Sequence, residues 1–104
     1  MAAAANCKCL IGGQWTEART DRFGEITNSC TGEVIARVPM CSSADVDAAV
    51  QKAVEAFPAW RDLPPPDRAR FMFRFQDVLL RHTDELARLV TREHGKTFLE
   101  TKAS

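Results

Sequence analysis

The residues Glu93-His94-Gly95-Lys96-Thr97 end like a phosphate-binding loop, with a glycine, a lysine and a hydroxyl in a row. Such a loop works because a strand feeds a glycine-rich turn whose backbone N–H groups encircle a phosphate, with the lysine reaching the outer phosphates. The pattern G-x-x-x-x-G-K-[ST] needs a second glycine five residues before Gly95, and that position is Val90. The preceding residues have helical rather than strand periodicity. The plainer reading is a helix end followed by a tight turn, with Gly95 as the glycine just past the last helical residue.

The other chemistry-bearing residues are equally scattered. Cys7 and Cys9 are one residue too close for the C-x2-C spacing of a zinc site, and Cys30 and Cys41 do not form a second such pair. Without a recognisable secretory leader, four reduced thiols in a cytoplasm are expected. His82 and His94 lie twelve apart on different expected helices, whereas ligands on one helix face are four apart. No serine, cysteine and histidine share a spacing that suggests a nucleophile and its base. Phe71, Met72, Phe73 and Phe75 could line a ligand groove, but aromatics and methionine at helical spacing more often form a core. The residues alone therefore define no catalytic, cofactor-binding or metal site.

The elements that must position these residues are clearer. The chain has 104 residues, 45% of them apolar, with fourteen basic and fourteen acidic side chains. That length supports one small domain, and the balanced charge offers no electrostatic basis for binding nucleic acid or an anionic membrane. No apolar run reaches the roughly 20 residues of a membrane helix. Residues 1–8 read as a flexible N-terminus and 9–104 as the folded portion. Cys9-Leu10-Ile11 and Gln14-Trp15-Thr16 flank Gly12-Gly13, a hairpin signal. Glu25-Ile26-Thr27 and Glu33 to Pro39 are further strands, separated by the turn cluster Asn28 to Gly32.

From Ser42 the period changes to 3.6. Ser42 or Ser43 is expected to cap a helix, Ser42 with Asp45 resembling a capping box, and Val46, Ala49, Val50, Ala53, Val54 and Phe57 form one stripe, with Pro58 expected to stop the helix and Ala59-Trp60-Arg61 to link onward. Helices are predicted over 43–57, 66–81 and 83–94, the last capped by Thr83 with Leu86, Leu89 and Val90 on its buried side. Thr97 to Ser104 begins a fourth. Phe71, Met72, Phe73, Phe75, Val78, Leu79 and Leu80 occupy more of the second helix than two flanking helices and a hairpin can cover. The fold class expected is α+β: a hairpin and short strands followed by three to four helices.

The order of short patches carries more than any single motif. It runs Ile11-Gly12-Gly13-Gln14-Trp15, then Ile26-Thr27-Asn28 and Thr31-Gly32-Glu33-Val34-Ile35, then Asp45-Val46-Asp47-Ala48-Ala49-Val50, Phe57-Pro58-Ala59-Trp60, Arg68-Ala69-Arg70 and Glu93-x-Gly95-Lys96-Thr97. This order resembles the amino-terminal part of the NAD(P)-dependent aldehyde dehydrogenases. Ile35 to Pro39, Phe57 to Trp60, Arg70 to Gln76 and Thr91 to Thr97 are most similar to the coenzyme A-acylating methylmalonate-semialdehyde dehydrogenases. At the turn, where that family has Asn-Pro-Ala-Thr-Gly-Glu, this chain has Ser29 and Cys30 in the second and third places.

The resemblance implies an incomplete piece of an α/β, Rossmann-like NAD-binding domain. It implies a parent enzyme that oxidises malonate or methylmalonate semialdehyde with NAD and passes the acyl group from a cysteine thioester to coenzyme A. It also places the nucleophilic cysteine, the general-base glutamate and the cofactor loops beyond Ser104. No catalytic or cofactor-binding residue carries over, and the chain alone is expected to be inactive and to bind no cofactor. Its expected partners are a second copy of itself or the remainder of such an enzyme. The alternative is a small non-catalytic helical module that binds a protein partner through the Phe71–Leu80 helix.

Overall fold

The computed structural model describes residues 4–104. Five short strands precede four helices: β1 (Ala5–Asn6), β2 (Cys9–Ile11), β3 (Gln14–Thr16), β4 (Phe23–Thr27), β5 (Val34–Pro39), α1 (Ser43–Arg61), α2 (Pro65–Arg81), α3 (Thr83–His94) and α4 (Phe98–Ala103). The strands form a three-stranded sheet in the order β1-β5-β4 and a separate β2-β3 hairpin. The expected α+β class and the short strands are both present.

The hairpin forms as its sequence dictates. Gly12 and Gly13 take φ of 60° and 77°, and two successive positive values match the twist of flanking antiparallel strands. β4 and β5 pair antiparallel with a bulge at Ile26/Thr27. The sequence reads residues 1–8 as loose, and Met1–Ala3 lie outside the described residues. Ala5 and Asn6 instead pair in parallel with Ala36 and Arg37, and the Cys7 N–H continues the ladder to the Arg37 carbonyl at 2.7 Å. The open edge of β5 supplies unpaired backbone groups that this segment satisfies.

The helices differ from expectation at two junctions. α1 does not stop at Pro58 but runs through it to Arg61. Proline gives up its own N–H bond, but its carbonyl still accepts from the Asp62 N–H at 3.0 Å. Nor does Thr83 cap α3. His82 ends α2 and begins α3 in one residue, at φ −106° and ψ 14°, and the Thr83 hydroxyl donates back to the Leu80 carbonyl at 2.9 Å. The Ser42 cap holds: its hydroxyl accepts from the Asp45 N–H at 3.2 Å, and the Asp45 carboxylate accepts from the Ser42 N–H at 3.0 Å. α4 opens with the same box, built by Thr97 and Glu100.

Little holds these elements to one another. Trp60 meets Phe71 edge-on at 5.7 Å between α1 and α2. Lys102 pairs with Asp84 at 2.7 Å between α4 and α3, and Arg88 lies 5.2 Å over the Phe98 ring. Among the described residues only Pro39 and Ala87 are buried. Leu86, Leu89 and Val90, expected on the buried side of α3, are exposed, because no element among the described residues covers them. The radius of gyration is 17.4 Å, against about 13 Å for a compact domain of this length. No helix among the described residues is long and apolar enough to cross a membrane.

Candidate functional site

The Glu93–Thr97 segment is a helix terminus and not a phosphate cradle. Gly95 follows α3 in the left-handed region, φ 83° and ψ 4°, and its N–H closes the last turn on the Thr91 carbonyl at 2.9 Å. A helix C-terminus presents carbonyl oxygens and the negative end of the macrodipole, which repel a phosphate. Lys96 reaches the Ser104 hydroxyl at 3.4 Å. What meets this terminus is the Asn28–Gly32 turn. The Ser29 hydroxyl donates to the Glu93 carbonyl, and a Cβ added to Gly95 would stand 3.1 Å from Cys30 Sγ. Ser29 and Cys30 therefore dock the β4–β5 turn onto the end of α3.

The remaining candidates stay dispersed. Among the described residues no three His, Cys, Asp or Glu side chains gather at a metal-binding distance. His82 Nδ1 pairs with Glu85 on its own helix at 3.0 Å. Phe71, Met72, Phe73 and Phe75 are exposed on α2, Phe73 at 65%. An open cleft of about 780 Å³ lies between the hairpin and α1, bordered by Gln14, Arg19, Asp45, Lys52 and Glu55. Three of its charges have partners: Asp45 accepts from the Arg19 backbone N–H at 3.1 Å, and Lys52 pairs with Glu55 at 2.7 Å. The N–H groups of Ser42 and Arg19 hold the Asp45 carboxyl below the usual aspartate range.

A dinucleotide needs a strand, a glycine-bearing turn and a free helix N-terminus for its pyrophosphate. The N-termini of α1 and α4 are filled by the chain's own carboxylates, Asp45 and Glu100. α2 starts on prolines and α3 continues directly from α2. Among the described helices, none opens on a glycine-bearing turn after a strand.

The sequence reading missed one proximity. Cys9 and Cys41, 32 residues apart, bring their sulfurs to 3.8 Å. Spacing alone gives no sign of it, because the contact depends on how the hairpin sits beside the β5–α1 link.

Residues 15–104 match the aldehyde dehydrogenase family, and the chain belongs to that family. It is 46% identical over 95 residues to malonate-semialdehyde dehydrogenase 2 of Oceanobacillus iheyensis, covering 91% of this chain and 20% of that protein. Its fold superposes on a protein of Sinorhizobium meliloti 1021, assigned as a methylmalonate-semialdehyde dehydrogenase and solved with NAD, with a TM-score of 0.93 and 35% identity over 99% of this chain and 21% of the other. The methylmalonate-semialdehyde dehydrogenase of Oceanimonas doudoroffii gives a TM-score of 0.90 and 37% identity over 95% of this chain and 20% of that one. The match is to the N-terminal part of these structures. The chain thus spans about a fifth of the length of the curated relatives it matches.

Proposed function

We propose that this chain is the N-terminal segment of a coenzyme A-acylating malonate- or methylmalonate-semialdehyde dehydrogenase, structural in role and without turnover of its own. The observation that carries the reading is the uncovered apolar surface. Phe71, Met72, Phe73, Phe75, Val78, Leu79 and Leu80 all stand exposed on α2, as do Val46, Val50, Val54 and Phe57 on α1. The accessible surface is 8466 Å², where a closed monomer of this mass has about 5,800 Å². A surplus of that size fits a surface shaped for the remainder of a larger enzyme. The Arg68 Nε is buried with no protein partner, which fits an acceptor supplied by that remainder. In the whole enzyme the reaction would be NAD-dependent oxidation of the semialdehyde, with the acyl group leaving a cysteine thioester for coenzyme A.

A fragment-complementation assay tests this reading. The 104-residue chain is mixed with the Oceanobacillus malonate-semialdehyde dehydrogenase lacking its matching first fifth. Neither alone reduces NAD with malonate semialdehyde, and the mixture does. Turnover by the chain alone overturns the proposal, as does a monomer with a sharp, high-temperature unfolding transition. The second reading, a helical module binding an unrelated protein, rests on the 65% exposure of both Phe73 and Leu80. Failed complementation together with tight association of the chain with a different protein would favour it.

A further inference from the structure

We propose that Cys9 and Cys41 are a redox-modifiable pair, which a hydroperoxide converts into an intrachain disulfide that fastens the hairpin to the start of α1. Among the described residues the hairpin pairs with no other strand. It touches α1 through side chains such as the Lys52 stem, which would lie 3.2 Å from a Cβ at Gly12. Cys9 opens β2, and Cys41 immediately precedes Ser42, the N-cap of α1. Their sulfurs are 3.8 Å apart, in van der Waals contact. A disulfide needs about 2.05 Å, so the sulfurs must close a gap of about 1.8 Å. Cys41 is exposed and Cys9 half-buried, so an oxidant meets Cys41 first and the resolving thiol is already adjacent. The other two thiols have no such neighbour: Cys30 lies against Gly95, and Cys7 is exposed on the β1 side of the chain. The adjacent Cys9 thiol raises the Cys41 pKa.

The step balances in two stages. The Cys41 sulfur attacks one oxygen of hydrogen peroxide, the O–O bond breaks, and a sulfenic acid and one water form. The Cys9 sulfur then attacks the sulfenyl sulfur, forming the S–S bond and expelling the hydroxyl as a second water. Two thiols are oxidised by two electrons and one peroxide is reduced; an added dithiol reverses the change.

Peptide mapping distinguishes the products, because trypsin cleavage after Lys8, Arg22, Arg37 and Lys52 leaves each cysteine on a separate peptide. The reduced 104-residue chain is treated with stoichiometric hydrogen peroxide, quenched and digested without reductant. The expected result is one Cys9–Cys41 cross-linked peptide pair, loss of two of the four free thiols, a monomer on a non-reducing gel and a higher urea midpoint that dithiothreitol returns to its starting value. Cys41→Ser and Cys9→Ser should each abolish both the cross-link and the midpoint shift, while Cys7→Ser with Cys30→Ser keeps them. A Cys7–Cys9 or Cys7–Cys41 link, an interchain dimer, or sulfinic acid at Cys41 with Cys9 still free would each overturn the proposal.

Discussion

Replacing Gly95 by alanine tests whether the docking of the Asn28–Gly32 turn on α3 contributes to stability. At φ 83° an L-residue pays roughly 1–2 kcal/mol for the left-handed conformation. The new Cβ would also lie 3.1 Å from Cys30 Sγ and 3.9 Å from Ser29 Cβ. Relieving that contact pushes the turn outward and breaks the bond from the Ser29 hydroxyl to the Glu93 carbonyl, worth about 0.5–1.5 kcal/mol. Together these give a loss of roughly 1.5–3.5 kcal/mol. Urea unfolding at fixed protein concentration, followed by the fluorescence of Trp15 and Trp60, measures it. Exchange of the Gly95 N–H, bonded to the Thr91 carbonyl at 2.9 Å, reads the local opening without requiring a two-state transition. Combining Gly95→Ala with Cys30→Ala removes the sulfur and leaves only the backbone cost, so the two changes should couple by at least about 0.5 kcal/mol. A single-mutant loss under about 0.5 kcal/mol, a change expected of any plain surface site, would refute the reasoning, and strict additivity of the pair would refute the contact.

Stability should fall on acidification. Asp45, Asp84 and Glu100 are held below their ordinary pKa values, by the Ser42 N–H, Lys102 and the Thr97 hydroxyl respectively. Their contribution is complete above the unfolded values of about 4 and is lost as pH drops through the lower folded ones. The urea midpoint should decline below about pH 5, and Asp45→Asn should flatten that decline. Lys96→Ala should leave calorimetric titrations with ATP and with NAD unchanged, both flat before and after; low-micromolar binding lost on substitution would restore the phosphate-loop reading. Phe73→Ser with Leu80→Ser should shift the chain towards monomer in sedimentation. It should also weaken complementation while moving its own stability by no more than about 0.5 kcal/mol, since both side chains are already exposed.

The elements legible in the sequence are those that local chemistry specifies. Gly12-Gly13 makes a hairpin because two adjacent residues must have positive φ, and Ser42 with Asp45 starts a helix through a box closed within four residues. Gly95 ends one for the same kind of reason. The misread junctions are those where a local rule competes with its surroundings. Pro58 lies in the last turn of α1, where its missing N–H costs one bond and its carbonyl still finds the Asp62 N–H. Thr83 looked like a cap, yet the helix before it never fully unwinds and its hydroxyl turns back to Leu80. The β1–β5 pairing and the Cys9–Cys41 contact bridge about thirty residues each, beyond the reach of any spacing rule.

That contrast explains how this chain has well-formed helices around almost no core. Capping boxes, glycine stops and turn residues satisfy backbone groups within a few residues, so they specify elements whether or not anything packs on them. Burial must come from whatever crosses the faces of α1, α2 and α3. The stripe from Val46 to Phe57 and the wide apolar arc of α2 are spaced for that burial and remain exposed. A sequence selected as a free-standing module would place polar residues on such faces. Large side chains concentrated there, on a chain with two buried residues among those described, fit a segment whose stability comes from the rest of a dehydrogenase. On that reasoning the complemented complex should unfold at a higher temperature than the chain alone. Equal transitions for the two would argue that the exposed faces are not the docking surface.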